Sequence, residues 1–145
     1  KLNMSQVSFE RVVPSELQIQ CLFELLGQRL HKISYKDVSY IEHKRFVESH
    51  PYRDWFLIKV GDNYVGSFYA SKENTIGINL EDEYMSLVVS QIINFVKESL
   101  KPLPPIPSVR SDKFAVNVPP SNMNLANALE AVDAKVAQIT YLLPS

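Results

Sequence analysis

The chain has 145 residues and a formal net charge of −1. That is enough for one domain, residues 1–145, with a substantial core, and it carries no bulk positive charge to draw it to nucleic acid or anionic lipid. Apolar residues make up 46% and charged residues 21%, which excludes a disordered or fibrous chain. The single cysteine, Cys21, rules out an internal disulfide. It lies in the apolar run LQIQCLFELL and reads as a small buried hydrophobe rather than a nucleophile; the lack of disulfides fits a reducing compartment such as the cytoplasm. No apolar run nears the roughly 20 residues needed to span a bilayer, so no membrane partner is expected. Residues 1–13 lack the apolar centre of a signal peptide.

Residues 7–13 alternate around Phe9 and read as a strand ended by Pro14. Ser15 and Glu16 start a helix over 16–30, with Leu17, Cys21 and Leu25, joined by Phe23 and Leu26, as its apolar side. Residues 31–36 are polar and loop-like. Asp37 or Ser39 caps a second helix that ends before Pro51. Ile41, Phe46 and Val47 give it a face, and Glu42, His43, Lys44, Arg45 and Glu48 read as solvated.

The period then changes to two. Residues 55–60 and 64–70 form a hairpin around Gly61-Asp62-Asn63, and residues 75–80 complete an antiparallel meander. Gly66 and Gly77 interrupt two of these strands, which marks a bulge, a close backbone approach or simple packing relief. Glu81, Asp82 and Glu83 make an acidic elbow into an amphipathic helix from about Met85 to Leu100. A strand that feeds a helix through a short turn can hold an anion, because the free N–H groups and the helix dipole face one space. Four prolines within residues 102–107 impose an extended path. Residues 114–118 form a strand stopped by Pro119-Pro120, Ser121 or Asn122 caps a helix over 123–132, and residues 136–143 form a final strand rich in β-branched and aromatic side chains. The order β-α-α-β-β-β-α-β-α-β predicts an α/β (α+β) fold, a mixed, mostly antiparallel sheet with helices on both faces.

That order, the hairpin WFLIKVGDNYVGSFYA, the segment INLEDEY and the segment FAVNVPPSNMNLANALEAVDAKVAQITYLL resemble the GNAT family of acyl-CoA-dependent N-acetyltransferases. The similarity covers nearly the whole chain. It implies a splayed V between the strands at 75–80 and 114–118, with the acyl-pantetheine arm of acetyl-CoA paired to backbone near Ile78 and Leu80 as an added strand would be. It implies the pyrophosphate on the tip of the helix beginning near Met85, close to Ser90, and Asn122 against the cofactor arm. It also implies direct acyl transfer to a small-molecule amine acceptor, with homodimer formation left open. The family's Arg/Gln-x-x-Gly-x-Gly/Ala pattern falls on Met85, Val88 and Ser90, so both glycines are replaced. Side chains at Val88 would crowd a phosphate there. The family's tyrosine acid falls on Leu129, and its Gly-aromatic pair on Asp133-Ala134.

Amine acetylation needs a route for the amine proton and an acid for the leaving thiolate. Glu81 and Glu83 are candidate bases by position, and Tyr84 and Tyr141 carry donors; capping and packing roles compete for each. The catalytic residues are therefore left open. His31, His43 and His50 lack metal-ligand spacing, so no metal is expected. The cluster from His50 to Trp55 either lines the acceptor side or packs the strand entry. Three readings stand: an active acyltransferase with an atypical phosphate loop, a GNAT-like binding or regulatory domain that has lost the cofactor, and an unrelated α/β interaction domain.

Overall fold

The hairpin in the middle of the chain is the centre of the sheet. β2 (Asp54–Val60) and β3 (Asn63–Ala70) pair antiparallel around a turn in which Gly61 takes φ 61°, left-handed backbone that glycine adopts without a Cβ penalty. β1 (Val7–Arg11) adds beside β2 and β4 (Thr75–Leu80) beside β3, both antiparallel; β5 (Ala115–Val116) joins β4 in parallel. The sheet order is β1-β2-β3-β4-β5. Two helices precede the hairpin, α1 (Glu16–Gly27) and α2 (Tyr40–Glu48). α3 (Met85–Ser99) follows β4, and α4 (Met123–Glu130) follows β5. This is a computed structural model, and it describes residues 6–27 and 39–145.

Alternation divides the sheet between two cores. Phe56, Ile58, Phe68, Ile76 and Leu80 turn to one face and bury Val88, Val89, Ile92, Leu125 and Leu129 of α3 and α4. Phe9, Phe56, Phe68 and Phe95 form a ring cluster there, with neighbouring centroids from 5.1 to 6.0 Å apart. Trp55 and Leu57 turn to the other face, against Ile19, Leu22 and Leu25 of α1 and Val47 of α2. Gly66 sits where the register shifts after Ile58, and a Cβ there would run into the Asn79 carbonyl. The strand glycine therefore marks both a bulge and a close approach. Gly77 has a different neighbour: the Tyr69 ring lies across it.

Several local expectations change. On α1 the buried residues are Gln18, Ile19, Leu22 and Leu25, whereas Leu17 is exposed and Cys21 only half-buried. Gln18 is held inside by bonds its position invites: its Oε1 accepts from Val13 N at 2.7 Å and its Nε2 donates to Glu10 and to the Arg11 carbonyl. On α2 the buried residues are His43 and Val47, while Ile41 and Phe46 face outward. Ser39 is the N-cap, in a reciprocal pair with Glu42. Residues 28–30 of the expected first helix, the loop after it and the alternative cap Asp37 lie outside the described residues. The last expected strand, 136–143, does not form and pairs with no other strand, so the sheet has five strands rather than six among the described residues.

Candidate functional site

β4 and β5 pair at only two positions, Thr75 with Ala115 and Ile76 with Val116. Beyond Ile76 the two strands part. On the β3 side, Thr75 O accepts from Ser71 N and Glu81 N donates to Val65 O; on the β5 side, Asn74 O accepts from Ala115 N. Backbone groups alternate along a strand. The N–H and C=O of Ile78 and Leu80 are therefore aimed toward β5, past the point where β5 has left. Their side chains belong to the α3/α4 core, with Leu80 fully buried and Ile78 half-buried.

A buried asparagine fixes where the two strands meet. Asn74 has no solvent exposure and takes φ 62°. Its Nδ2 donates to the Leu103 and Ser111 carbonyls, both at 2.9 Å, and its Oδ1 accepts from Leu103 N at 2.8 Å. One side chain thus ties both ends of the proline-rich connection to the start of β4, and the next ladder bond sets β5. Arg110 holds the same segment from outside, donating to the Pro104 and Lys72 carbonyls.

Between the first half of α3 and α4 lies a cleft of about 360 Å³, within the range of small-molecule sites. Asp82, Ser86 and Ser90 line it at four-residue spacing with Met85, and Asn124, Asn127, Ala128, Ala131 and Val132 form the α4 wall. Ser90 is thus on the cleft. Val88 is not: it is fully buried in the α3/α4 core. Asn122 is also buried, and its Oδ1 accepts from Leu125 N at 3.1 Å as the N-cap of α4. Asn124 and Asn127, which sequence reading did not single out, reach the cleft instead. The spacing of residues 82, 86 and 90 along one helical face was the available signal for the α3 wall.

The charge on this cleft is acidic. Among the described residues its lining carries one carboxylate, Asp82, and no basic side chain. A 3₁₀ turn, Asp82–Tyr84, leads into α3. It occupies the Tyr84 and Met85 amides, bonded to the Glu81 and Asp82 carbonyls. Glu81 is half-buried at the end of β4, and burial, helped by the Glu83 charge, holds its carboxyl above the usual carboxylate range. Burial likewise raises the Tyr84 phenol, with Glu83 and Glu81 adding to it. Tyr141 is 83% exposed on the chain after α4, so it is a solvent-facing side chain. His50, Tyr52 and Trp55 pack together on the α1/α2 side, with Tyr52 stacked on Tyr69 at 3.8 Å. His31 lies outside the described residues.

No family model matches the chain, and no curated protein matches it in sequence. Its backbone is similar to solved acetyltransferases. One is AAC(6')-Iy in complex with the bisubstrate analog CoA-S-monomethyl-acetylneamine: 10% identity and TM-score 0.62 over 96% of this chain and 97% of that one. Another is meta-AAC0020, an aminoglycoside acetyltransferase from an uncultured soil metagenomic sample, in complex with sisomicin: 9% identity, TM-score 0.54, 97% and 98% coverage. A third, a possible acetyltransferase from Clostridium difficile 630, gives 11% identity and TM-score 0.56 at 97% coverage of both chains. With its meander, its parting strands and the two helices that flank the opening, the chain has the GNAT fold.

Proposed function

We propose that this protein is an N-acetyltransferase that takes acetyl-CoA and passes its acetyl group directly to a small amine-bearing acceptor. The observation that carries the reading is the parting of β4 and β5 after Ile76, beyond which the β5-facing edge of β4 at Ile78 and Leu80 has no ladder partner among the described residues. An extended amide-bearing arm can add to such an edge as a strand does. Ser86, Ser90, Asn124 and Asn127 supply hydroxyl and amide groups along the cleft in which the rest of a cofactor would lie. The similar solved structures lend support, since AAC(6')-Iy was captured with a CoA-bound bisubstrate analog. Glu81 is a carboxyl at the end of β4, and burial with the Glu83 charge raises its pKa, the direction that strengthens a proton acceptor.

A second reading keeps the architecture and removes the chemistry. It rests on Asp82, the one carboxylate among the described residues that line the cleft, whose charge opposes a pyrophosphate. This would make the protein a GNAT-like binding or regulatory domain. Titration calorimetry with acetyl-CoA separates the two. The first reading expects a micromolar Kd, weakened about tenfold or more by Ser90→Asp while thermal unfolding stays unchanged. An absence of heat, or a Kd indifferent to Ser90→Asp, refutes the acetyl-CoA site.

A further inference from the structure

Gly77 is where β4 first runs without β5, since its neighbour Ile76 makes the last pair, with Val116. A side chain from β3 fills the space the glycine leaves. Tyr69 is the register partner of Gly77 and lies on the sheet face that packs α1 and α2. The place of a Gly77 Cβ is taken by Cε2, Cζ and Oη of Tyr69, with Oη 2.5 Å from it. A larger residue at 77 would push the ring away, so the glycine lets the phenol rest on the β4 backbone. Tyr52 holds the ring there: the two stack with centroids 3.8 Å apart and planes 9° from parallel, and His50 and Trp55 pack against Tyr52 in turn.

The ring therefore points across the sheet, from β3 over β4, and its hydroxyl stands at the start of the gap. That hydroxyl makes no hydrogen bond among the described residues. Other phenols are placed differently. Tyr64 donates to Glu10, Tyr84 stands past Leu80 beyond the far end of β4, and Tyr141 is exposed after α4. The opening also has a direction. The cleft with Ser86 and Ser90 lies past Leu80 in the chain, and the last β4–β5 pair lies at the other end of β4. An acyl-pantetheine arm that enters from the cleft and adds along Leu80 and Ile78 brings its thioester to the Ile76 end. Gly77, with the Tyr69 hydroxyl on it, is one residue from Ile78, about 3.3 Å of strand.

We propose that Tyr69 is the acid of the transfer and gives its proton to the departing thiolate. The inference rests on the acetyl-CoA reading above. The amine nitrogen forms its bond to the carbonyl carbon and loses a proton to water. The C–S bond breaks, its electron pair stays on sulfur, and sulfur takes the Tyr69 proton. The phenolate recovers a proton from water, so each turnover leaves the side chain as it began.

Calorimetry with CoA and with desulfo-CoA, which lacks the sulfur, reads the contact without turnover. Wild-type protein is expected to bind CoA about fivefold more tightly than desulfo-CoA. Tyr69→Phe keeps the ring on Tyr52 and Gly77; it should bind the two ligands equally and desulfo-CoA as wild type does. Thiol release from acetyl-CoA, with excess hydroxylamine as the acceptor, reads the chemistry. Tyr69→Phe should lower kcat about 100-fold at an unchanged KM for acetyl-CoA. Gly77→Ala, which displaces the ring, should lower kcat alone and add little to Tyr69→Phe. A wild-type protein that binds neither ligand refutes the acetyl-CoA reading and this proposal with it. If both ligands bind, a preference for CoA that survives Tyr69→Phe, or a kcat within about threefold of wild type in that variant, overturns the role of Tyr69 and leaves the acetyl-CoA reading standing.

Discussion

Asn74 offers the sharpest test of how the opening is set. Asn74→Ala leaves three part-buried backbone groups without their partner: the Leu103 N–H, the Leu103 carbonyl and the Ser111 carbonyl. Each bond contributes about 0.5–1.5 kcal/mol net, so their joint loss costs about 1.5–4.5 kcal/mol. Alanine must also hold the left-handed backbone at φ 62°, at a further cost of about 1 kcal/mol. Asn74→Gly removes the bonds but not the backbone freedom, so the two variants should differ by about that last amount. Urea unfolding followed by the fluorescence of Trp55, the one tryptophan in the chain, measures both. Asn74→Asp adds a pH signature. The oxygen that replaces Nδ2 would face two carbonyl oxygens, which disfavours the ionised form and raises the carboxyl pKa in the folded state. The unfolded chain titrates near 3.9. The penalty is therefore absent below about pH 4 and grows as pH rises toward the folded value. In native gels or calorimetry, the glycine and alanine variants should also bind acetyl-CoA more weakly, because β5 loses the tie that places it. A cost for Asn74→Gly below about 1 kcal/mol, with binding intact, would refute the reasoning.

Two further outcomes come from the packing. Gly66→Ala drives a Cβ into the Asn79 carbonyl, which is backbone and cannot yield; a loss of about 2–3 kcal/mol is expected in the same unfolding assay. Gly77→Ala meets only the outer part of the Tyr69 ring, so it should cost less and show itself as lost stacking against Tyr52. His43 is buried against Phe23 with its Nε2 unpartnered among the described residues. Burial holds its pKa below 6.5, against a hydrogen bond to the Ile19 backbone that acts the other way. The folded state therefore binds fewer protons than the unfolded one. The His43 contribution to stability is full above about pH 6.5 and is lost as pH falls below it. Midpoints of urea unfolding from pH 8 to 5 should decline, and His43→Leu should flatten part of that decline; His50, also lowered by burial, supplies a remainder.

The hairpin and the helix caps were legible because each rests on a local rule, whereas the parting of two strands was expected only from the family resemblance. Period-two alternation turns Trp55 and Leu57 to one face and Phe56 and Ile58 to the other whatever lies beyond them. Gly61 must take its turn, and Ser39 and Asn122 cap because their side chains reach amides three residues on. Helix faces were less legible. Apolar residues on α1 and α2 spread around the cylinder; bonds to Glu10, Arg11 and Val13 hold Gln18 inside, His43 is buried against Phe23, and Leu17 and Ile41 are left in water.

The candidate site divides along the same line. Sequence alone could propose that a strand, an acidic elbow and a helix enclose one space, since those elements adjoin in the chain. It could not tell that Val88 belongs to the core while Ser86 and Ser90 face α4, because the rotation of α3 is set by Leu125 and Leu129 packing from a distant part of the chain. Nor could it show Asn74 clamping Leu103 and Ser111, or residues 136–143 standing clear of their own sheet. Composition and spacing determine which elements form, because those energies are local. Only the folded chain decides which side of each element meets another and where two strands part, because those choices depend on contacts between residues far apart in sequence.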